Sequence, residues 1–264
     1  MKKQLILAFG QADRYAEQAL LQKRVAQTLA ARLPSLARPA ILELGCGTGF
    51  LTRHLLQRWP EAPLLCSDLA YPMLQRCRAS LGAHPNLRYA VLDGEQPAVA
   101  AGFDLIAASM VMQWFTRPLA SLAGLFALLQ PGGVLAFATL GPETFQEWRQ
   151  ACTALALPNA LADRPTAADW QQAWPATGLA QTWEESITLP HPSGLAFLQG
   201  LRAIGAHLPI PAYRPLSAGQ LRRLLRHLEQ QAHGGTVEMT YHVIYGLFRK
   251  NGVAALGKNG YPAG

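Results

Sequence analysis

Short unbroken apolar runs alternate along this chain with longer segments in which apolar residues recur every three or four positions. The first pattern reads as strands buried on both faces, the second as helices packed against them. Residues 12–33, rich in Ala, Leu, Gln and Arg, read as one or two helices, and Pro34 and Pro39 bound a short linker. Strands then fall at 40–44, 63–68, 87–91, 103–109 and 134–139, with helices near 49–58, 71–81 and 117–129. Gln130-Pro131-Gly132-Gly133 reads as the turn that leads into the fifth strand. Beyond it the rhythm loosens. Helices are expected at 143–155 and 167–174 and an exposed strand at 179–189. Residues 193–231 read as helical, with interruptions at Gly205, Pro209, Pro211 and Pro215, and 237–248, rich in β-branched and aromatic residues, as a last strand. Strands alternating with helices predict an α/β fold, a doubly wound and mostly parallel sheet. The Gly-rich segment 251–264 reads as a flexible tail.

The first predicted strand carries the strongest chemical signal. Ile41-Leu42-Glu43-Leu44 is apolar apart from one carboxylate, and it breaks at once into Gly45-Cys46-Gly47-Thr48-Gly49 before a helical pattern starts at Phe50. Strand, glycine turn, helix is the entry to a nucleotide-cofactor site: glycine allows positive φ and lets a ligand reach bare backbone. The spacing is G-x-G-x-G. A dinucleotide fingerprint needs a glycine one position later, where this chain has Phe50. Glu43, two residues before the turn, suits a cationic ligand better than a pyrophosphate. Asp68, at the end of the second strand, stands where a carboxylate can accept hydrogen bonds from both hydroxyls of a ribose.

Composition narrows the reading. With 264 residues, half of them hydrophobic, the chain can bury a sizeable core as one α/β domain with an insertion. No apolar run approaches the ~18–20 residues of a membrane span. The N-terminus begins like a signal peptide, but its apolar part is short and Gln11, Asp13 and Arg14 interrupt it, so the cytoplasm is the expected compartment. Cys46, Cys66, Cys77 and Cys152 show no metal-ligand spacing and read as packed, reduced thiols, so no metal is expected. Cys46 stands close to the cofactor turn without the setting of a nucleophile. The net charge of +7 is spread along the chain without aromatic–basic interleaving, so neither a nucleic acid nor a membrane is expected as partner. Arg222, Arg223 and Arg226 lie close together on one helix and form a candidate docking face for an acidic protein.

Glu43-Leu44-Gly45-Cys46-Gly47-Thr48-Gly49 resembles the first motif of the class I S-adenosyl-L-methionine-dependent methyltransferases. That resemblance implies a Rossmann-like, seven-stranded sheet with an antiparallel edge, and the cofactor S-adenosyl-L-methionine. It implies that Glu43, Gly45, Cys46, Gly47 and Gly49 surround the methionine end, and that Asp68 with Leu69 takes the ribose. Asp93, with Gly94 and Glu95, would take the adenine, Met73 would pack on the adenosine, and Ser109 and Met110 would lie beside the transferable methyl. Over residues 9–250 the chain also resembles the malonyl-[acyl-carrier protein] O-methyltransferases of biotin synthesis. The residues that carry this are Tyr15, Ala19 and Gln22, the pair Gln113-Trp114, the block Thr144-Phe145 with Arg149, and Thr240 to Gly246.

This second resemblance implies N-terminal lid helices over residues 1–38, a methyltransferase domain over 39–250 and a helical insertion at about 191–234. Tyr15, Ala19 and Gln22 are spaced i, i+4, i+7, so one helix would turn Tyr15 and Gln22 toward the cofactor. Tyr15 and Trp114 would build a dry pocket, and Arg149, with its planar fork, would hold the acceptor carboxylate. The substrate implied is the malonyl thioester of acyl-carrier protein, or malonyl-CoA, converted to a methyl ester that primes pimeloyl synthesis. Two alternatives stay open: another small carboxylic acid or a quinone-type acceptor, and a cofactor-binding partner protein without catalysis.

Overall fold

The computed structural model describes residues 2–10, 19–159, 161–203, 215–232 and 234–252. In chain order the elements are α1 (Lys2–Gly10), α2 (Leu20–Arg32), β1 (Ile41–Leu44), α3 (Phe50–Arg58), β2 (Leu64–Asp68), α4 (Tyr71–Leu81), β3 (Leu87–Val91) and β4 (Phe103–Ser109). A single 3₁₀ turn, Met112–Trp114, precedes α5 (Pro118–Leu128). Then come β5 (Leu129–Leu140), α6 (Gln146–Ala154), α7 (Ala167–Ala173), β6 (Gly178–His191), α8 (Gly194–Ala203), α9 (Ala218–Gln230) and β7 (Val237–Lys250).

One seven-stranded sheet has the order β3-β2-β1-β4-β5-β7-β6. β1 to β5 are parallel, and β7 pairs antiparallel with both β5 and β6. This is the predicted doubly wound sheet with its antiparallel edge. Because strand side chains alternate, each central strand feeds two cores. Ile41, Leu105 and Ala107 join the core formed with α2, α3 and α4, while Leu42, Leu44, Ile106 and Ala108 join the one formed with α5 and α7. β1 is buried at all four positions, which is why its sequence reads as a run rather than an alternation. Strand order reverses at β1 and β4. A doubly wound sheet leaves its ligand crevice there, at the carboxyl ends of the strands.

Several boundaries differ from expectation for local reasons. The turn Gln130–Gly133 lies within the span of β5: Leu129 pairs with Phe103 and Val134 with Leu105, so residues 130–133 bulge out between two paired positions. α6 starts at Gln146 rather than 143, because Phe145 adopts left-handed φ and the Thr144 hydroxyl donates to the carbonyl of His242. Residues 2–10, within the stretch 1–38 where the resemblance implies helices but where the residue pattern shows only a short apolar run, form a helix that packs on α4. α2 begins at Leu20, with Ala19 outside it at ψ 46°. The single helical face through 15, 19 and 22 therefore does not extend back through Ala19, and Tyr15 lies outside the described residues. Of the interruptions expected in 193–231, Pro215 is described, and Gly205, Pro209 and Pro211 lie outside those residues. Among the described residues no helix is long and apolar enough to cross a membrane.

Candidate active site

The turn after β1 is built from backbone that only glycine takes easily. Gly45, Gly47 and Gly49 have φ of 62°, 54° and 91°. A Cβ on Gly45 would fall 2.4 Å from a methyl of Val111, so this position is closed to side chains twice over. Asp68 clamps the turn from the tip of β2: its carboxylate accepts from the Gly47 amide at 2.9 Å and from the Ala70 amide at 2.9 Å. Burial raises the Asp68 carboxyl to about 6 against those hydrogen bonds. Glu43 is 1% exposed and has no cationic partner among the described residues. The Cys66 thiol donates to it at 3.3 Å. Burial pushes the Glu43 carboxyl up to about 8. A cation bound here would remove much of that penalty.

Asp93 follows β3 and carries a second clamp, its Oδ1 accepting from the Glu95 amide at 3.1 Å. Lys2 of α1 bridges both acids, at 2.5 Å from Asp93 and 3.0 Å from Glu95. Glu95 faces away from the main cavity: it lines a smaller adjoining groove and accepts from the Arg117 amide at 2.7 Å. Burial disfavours its charge, but the Arg117 amide and Lys2 prevail and hold its carboxyl below the usual range. Glu95 thus braces the loop on which Asp93 stands.

At the tip of β4, Met110 is held at φ 58° with its amide donating to Ala138. A non-glycine residue in that region of backbone space at the head of a cleft is a costly arrangement that the surrounding fold must enforce. Gln113 ties this corner together, donating to the Met110 carbonyl at 2.8 Å and accepting from the Thr139 hydroxyl at 3.2 Å. Trp114 meets Phe9 of α1 edge to face at 5.4 Å.

These groups line one cavity of 1720 Å³. Gln22, Glu43, Gly45, Cys46, Gly47, Asp68, Leu69, Met73, Asp93, Gly94, Ser109, Met110 and Trp114 all face it. Gly49 does not; it caps α3, packed against Cys77 and Leu81. Arg149 is not in the wall either. It lies behind, on α6, with one long contact of 3.5 Å to the Ala162 carbonyl and a buried Nε that lacks a partner. Among the described residues three guanidiniums do line the cavity, those of Arg117, Arg164 and Arg202, and Arg164, in the loop between α6 and α7, is the one of the three that is not exposed. Aromatic residues (Phe145, Trp148, Phe197 and Tyr241) complete that side. The volume exceeds the ~300–1,000 Å³ of a single small-ligand site, so a second reactant has room.

The residues missed in the sequence are those without a pattern. Asp163-Arg164-Pro165 is an irregular loop, and Lys2 and Phe9 stand before the first predicted helix. The three sulfurs of Cys46, Cys66 and Cys77, from different elements, lie within 4.8 Å of one another although their spacing gives no sign of it. Hydrogen bonds with the other two thiols and burial hold the Cys46 thiol well above its ordinary value, which disfavours a thiolate nucleophile.

Comparison with known proteins agrees with this geometry. Residues 42–135 match the family model described as a methyltransferase domain. The chain is 46% identical over 247 residues to the malonyl-[acyl-carrier protein] O-methyltransferase of Magnetococcus marinus, covering 92% of this chain and 91% of that protein. It is 32% identical over 258 residues to the protein of the same name from Pseudescherichia vulneris, covering 95% and 98%. It is 44% identical over 245 residues to the biotin biosynthesis bifunctional protein BioCD of Bordetella avium, covering 90% of this chain and 50% of that one. Among solved structures, the YcgJ protein of Bacillus subtilis shares the fold, with a TM-score of 0.61 at 13% identity over 86% of this chain and 98% of that one. By sequence, the chain belongs to the malonyl-[acyl-carrier protein] O-methyltransferase family of S-adenosyl-L-methionine-dependent methyltransferases.

Proposed function

We propose that this protein transfers a methyl group from S-adenosyl-L-methionine to the free carboxylate of a malonyl thioester on acyl-carrier protein, giving the methyl ester that enters biotin synthesis. The observation that carries this reading is the charge arrangement of one cavity. Carboxylates stand at the tips of β1 and β2 and just after β3, and an arginine lines the wall beyond β4 and β5.

The residues suit the cofactor. Glu43 is a buried carboxylate without a cationic partner among the described residues, and Gly45 leaves a ligand room that any side chain would fill. When bound, S-adenosyl-L-methionine supplies an electrophilic methyl on a positively charged sulfur. Glu43 and the glycine turn would hold its methionine end, Asp68 with Leu69 the ribose, and Asp93 with Gly94 and Met73 the adenosine. Gln22 and Cys46 border the same space, and Ser109 and Met110 flank the reacting groups.

The acceptor carboxylate, with a pKa near ~4, is ionised at neutral pH and needs no general base. The protein's task is to orient it and exclude water, so that two opposite charges meet without their hydration shells. Trp114 and the aromatic wall serve that exclusion, and Tyr15 is assigned to it on the family resemblance alone. Arg149 supports the acceptor side from behind the wall. The carrier would dock on exposed Arg222 and Arg226 of α9; Arg223 is engaged with the Leu155 carbonyl. Four free, buried thiols fit a reducing cytoplasm.

The test is transfer from methyl-labelled cofactor to malonyl-carrier, malonyl-CoA and acetyl-carrier side by side. Label on the malonyl substrates as a base-labile ester, and none on acetyl-carrier, is expected. Label on neither malonyl substrate, but on another small acid or a quinone, overturns the reading.

A further inference from the structure

Two arginines on the acceptor side of the cavity lack what buried guanidiniums need. Arg164 lines the cavity, and its Nη1 is buried without a hydrogen-bond partner. Arg149 lies close enough for its charge to act on Arg164, and its own Nε is buried and unpartnered. Its one contact, to Ala162, is to the same loop that carries Arg164. Among the described residues no carboxylate pairs with either arginine, although Asp163 is the neighbour of Arg164 in sequence.

Burial, reinforced by the like charge of Arg149, lowers the Arg164 guanidinium to about 10, so it stays charged at neutral pH. An unsatisfied charged donor with a like charge at its back is an expensive arrangement for a fold to keep. An anion in front of it answers both defects. A carboxylate presents two oxygens to the planar fork and neutralises the pair.

The rest of the cavity restricts which anion this is. Its other wall carries Glu43, Asp68 and Asp93, of which, among the described residues, only Asp93 is paired, with Lys2, so a polyanion such as a pyrophosphate meets two uncompensated acids there. A single carboxylate on a neutral arm can touch the arginine and still approach a cationic neighbour. We propose that Arg164 is the residue that binds the acceptor's free carboxylate and selects for it, with Arg149 a positioning residue that holds the 161–165 loop against α6.

This inference rests on the methyl-transfer reading above, and the experiment separates the two. Affinity of the full-length protein is measured for malonyl-carrier and acetyl-carrier in the presence of S-adenosylhomocysteine, with labelled methyl transfer measured in parallel. The wild-type protein is expected to favour the malonyl form by roughly 10- to 100-fold, the range for hydrogen bonds to a charged group. Arg164→Gln should remove that preference and raise KM for malonyl-carrier by a similar factor, while the affinity for S-adenosylhomocysteine stays at the wild-type value. Arg164→Lys, which keeps the charge without the fork, should recover part of the preference, and it carries the test if the glutamine variant no longer binds S-adenosylhomocysteine. Normal transfer by the wild type with the preference intact in both variants overturns the role of Arg164 alone. No transfer by the wild type to malonyl-carrier overturns the methyl-transfer reading itself.

Discussion

The two halves of the cavity are built by different means. On the β1–β3 side the binding groups are backbone and short acids at strand tips, held by hydrogen bonds within a few residues or between adjacent strands. Asp68 grips the Gly47 amide, and Asp93 grips the amide two residues on. On the β5–β7 side they come from α6, the loop after it, α8 and β7, which lie far apart in the chain. The first half is set by local geometry, glycines at positive φ and carboxylates hydrogen-bonded to nearby amides. The second depends on tertiary packing, and it keeps unsatisfied charge at Arg149 and Arg164. Under the proposed function, a cofactor common to many acceptors is served by the locally built half, whereas the acceptor is recognised by parts that can differ from one enzyme to another.

The sharpest way to break this contrast is Gly45→Ala. The added Cβ meets Val111 at 2.4 Å on backbone at φ 62°, so cofactor affinity should fall at least ~100-fold, with stability lower by about 1–3 kcal/mol. Calorimetry with S-adenosylhomocysteine and a thermal melt would check both; near-normal binding would mean that the turn is not the cradle.

Glu43 offers a subtler test. Its carboxyl is raised to about 8, so without ligand it is largely protonated below that pH. A cationic ligand selects the ionised form, so affinity should rise with pH by up to about tenfold per unit below pH 8 and level off above it. Glu43→Gln should flatten that profile and weaken binding at pH 8. In the ligand-free protein the sign is opposite: a raised carboxyl contributes stability at acid pH that is lost as pH climbs from the unfolded value through about 8. A pH series of melts with and without cofactor would show the two trends crossing.

Arg149→Ala should raise KM for malonyl-carrier about 3- to 10-fold, less than loss of Arg164, while cofactor affinity holds. Equal loss of both would show that the two halves are not separable. The smallest effect is expected from reversing Arg222 and Arg226 to Glu. KM for the carrier substrate should rise a few-fold at low salt and converge with the wild type as salt screens the contact, with malonyl-CoA unaffected. An unchanged KM at low salt would end the docking role of α9.

Much of this molecule was legible in its sequence, unevenly. β1 to β4 and the helices at 50–58 and 71–81 were readable because runs buried on both faces and amphipathic repeats are local patterns. The glycine turn was readable because positive φ restricts the residue type. The Lys2–Gly10 helix was implied only by the family resemblance and not by the pattern of its residues, because nine residues carry too little periodicity, and what holds it is its packing on α4. That Glu95 turns away from the main cavity while Asp93 faces it depends on the Arg117 amide, 22 residues on in the chain.

What the sequence determined by itself is the doubly wound sheet and the cradle at its first turn, since both follow from interactions between near neighbours. What only the tertiary structure decided is which arginines reach the cavity, which thiols meet and how α1 comes to line the cavity beside Asp93. Those depend on where distant segments pack, and a side chain's spacing along the chain says nothing of the neighbours that folding brings to it.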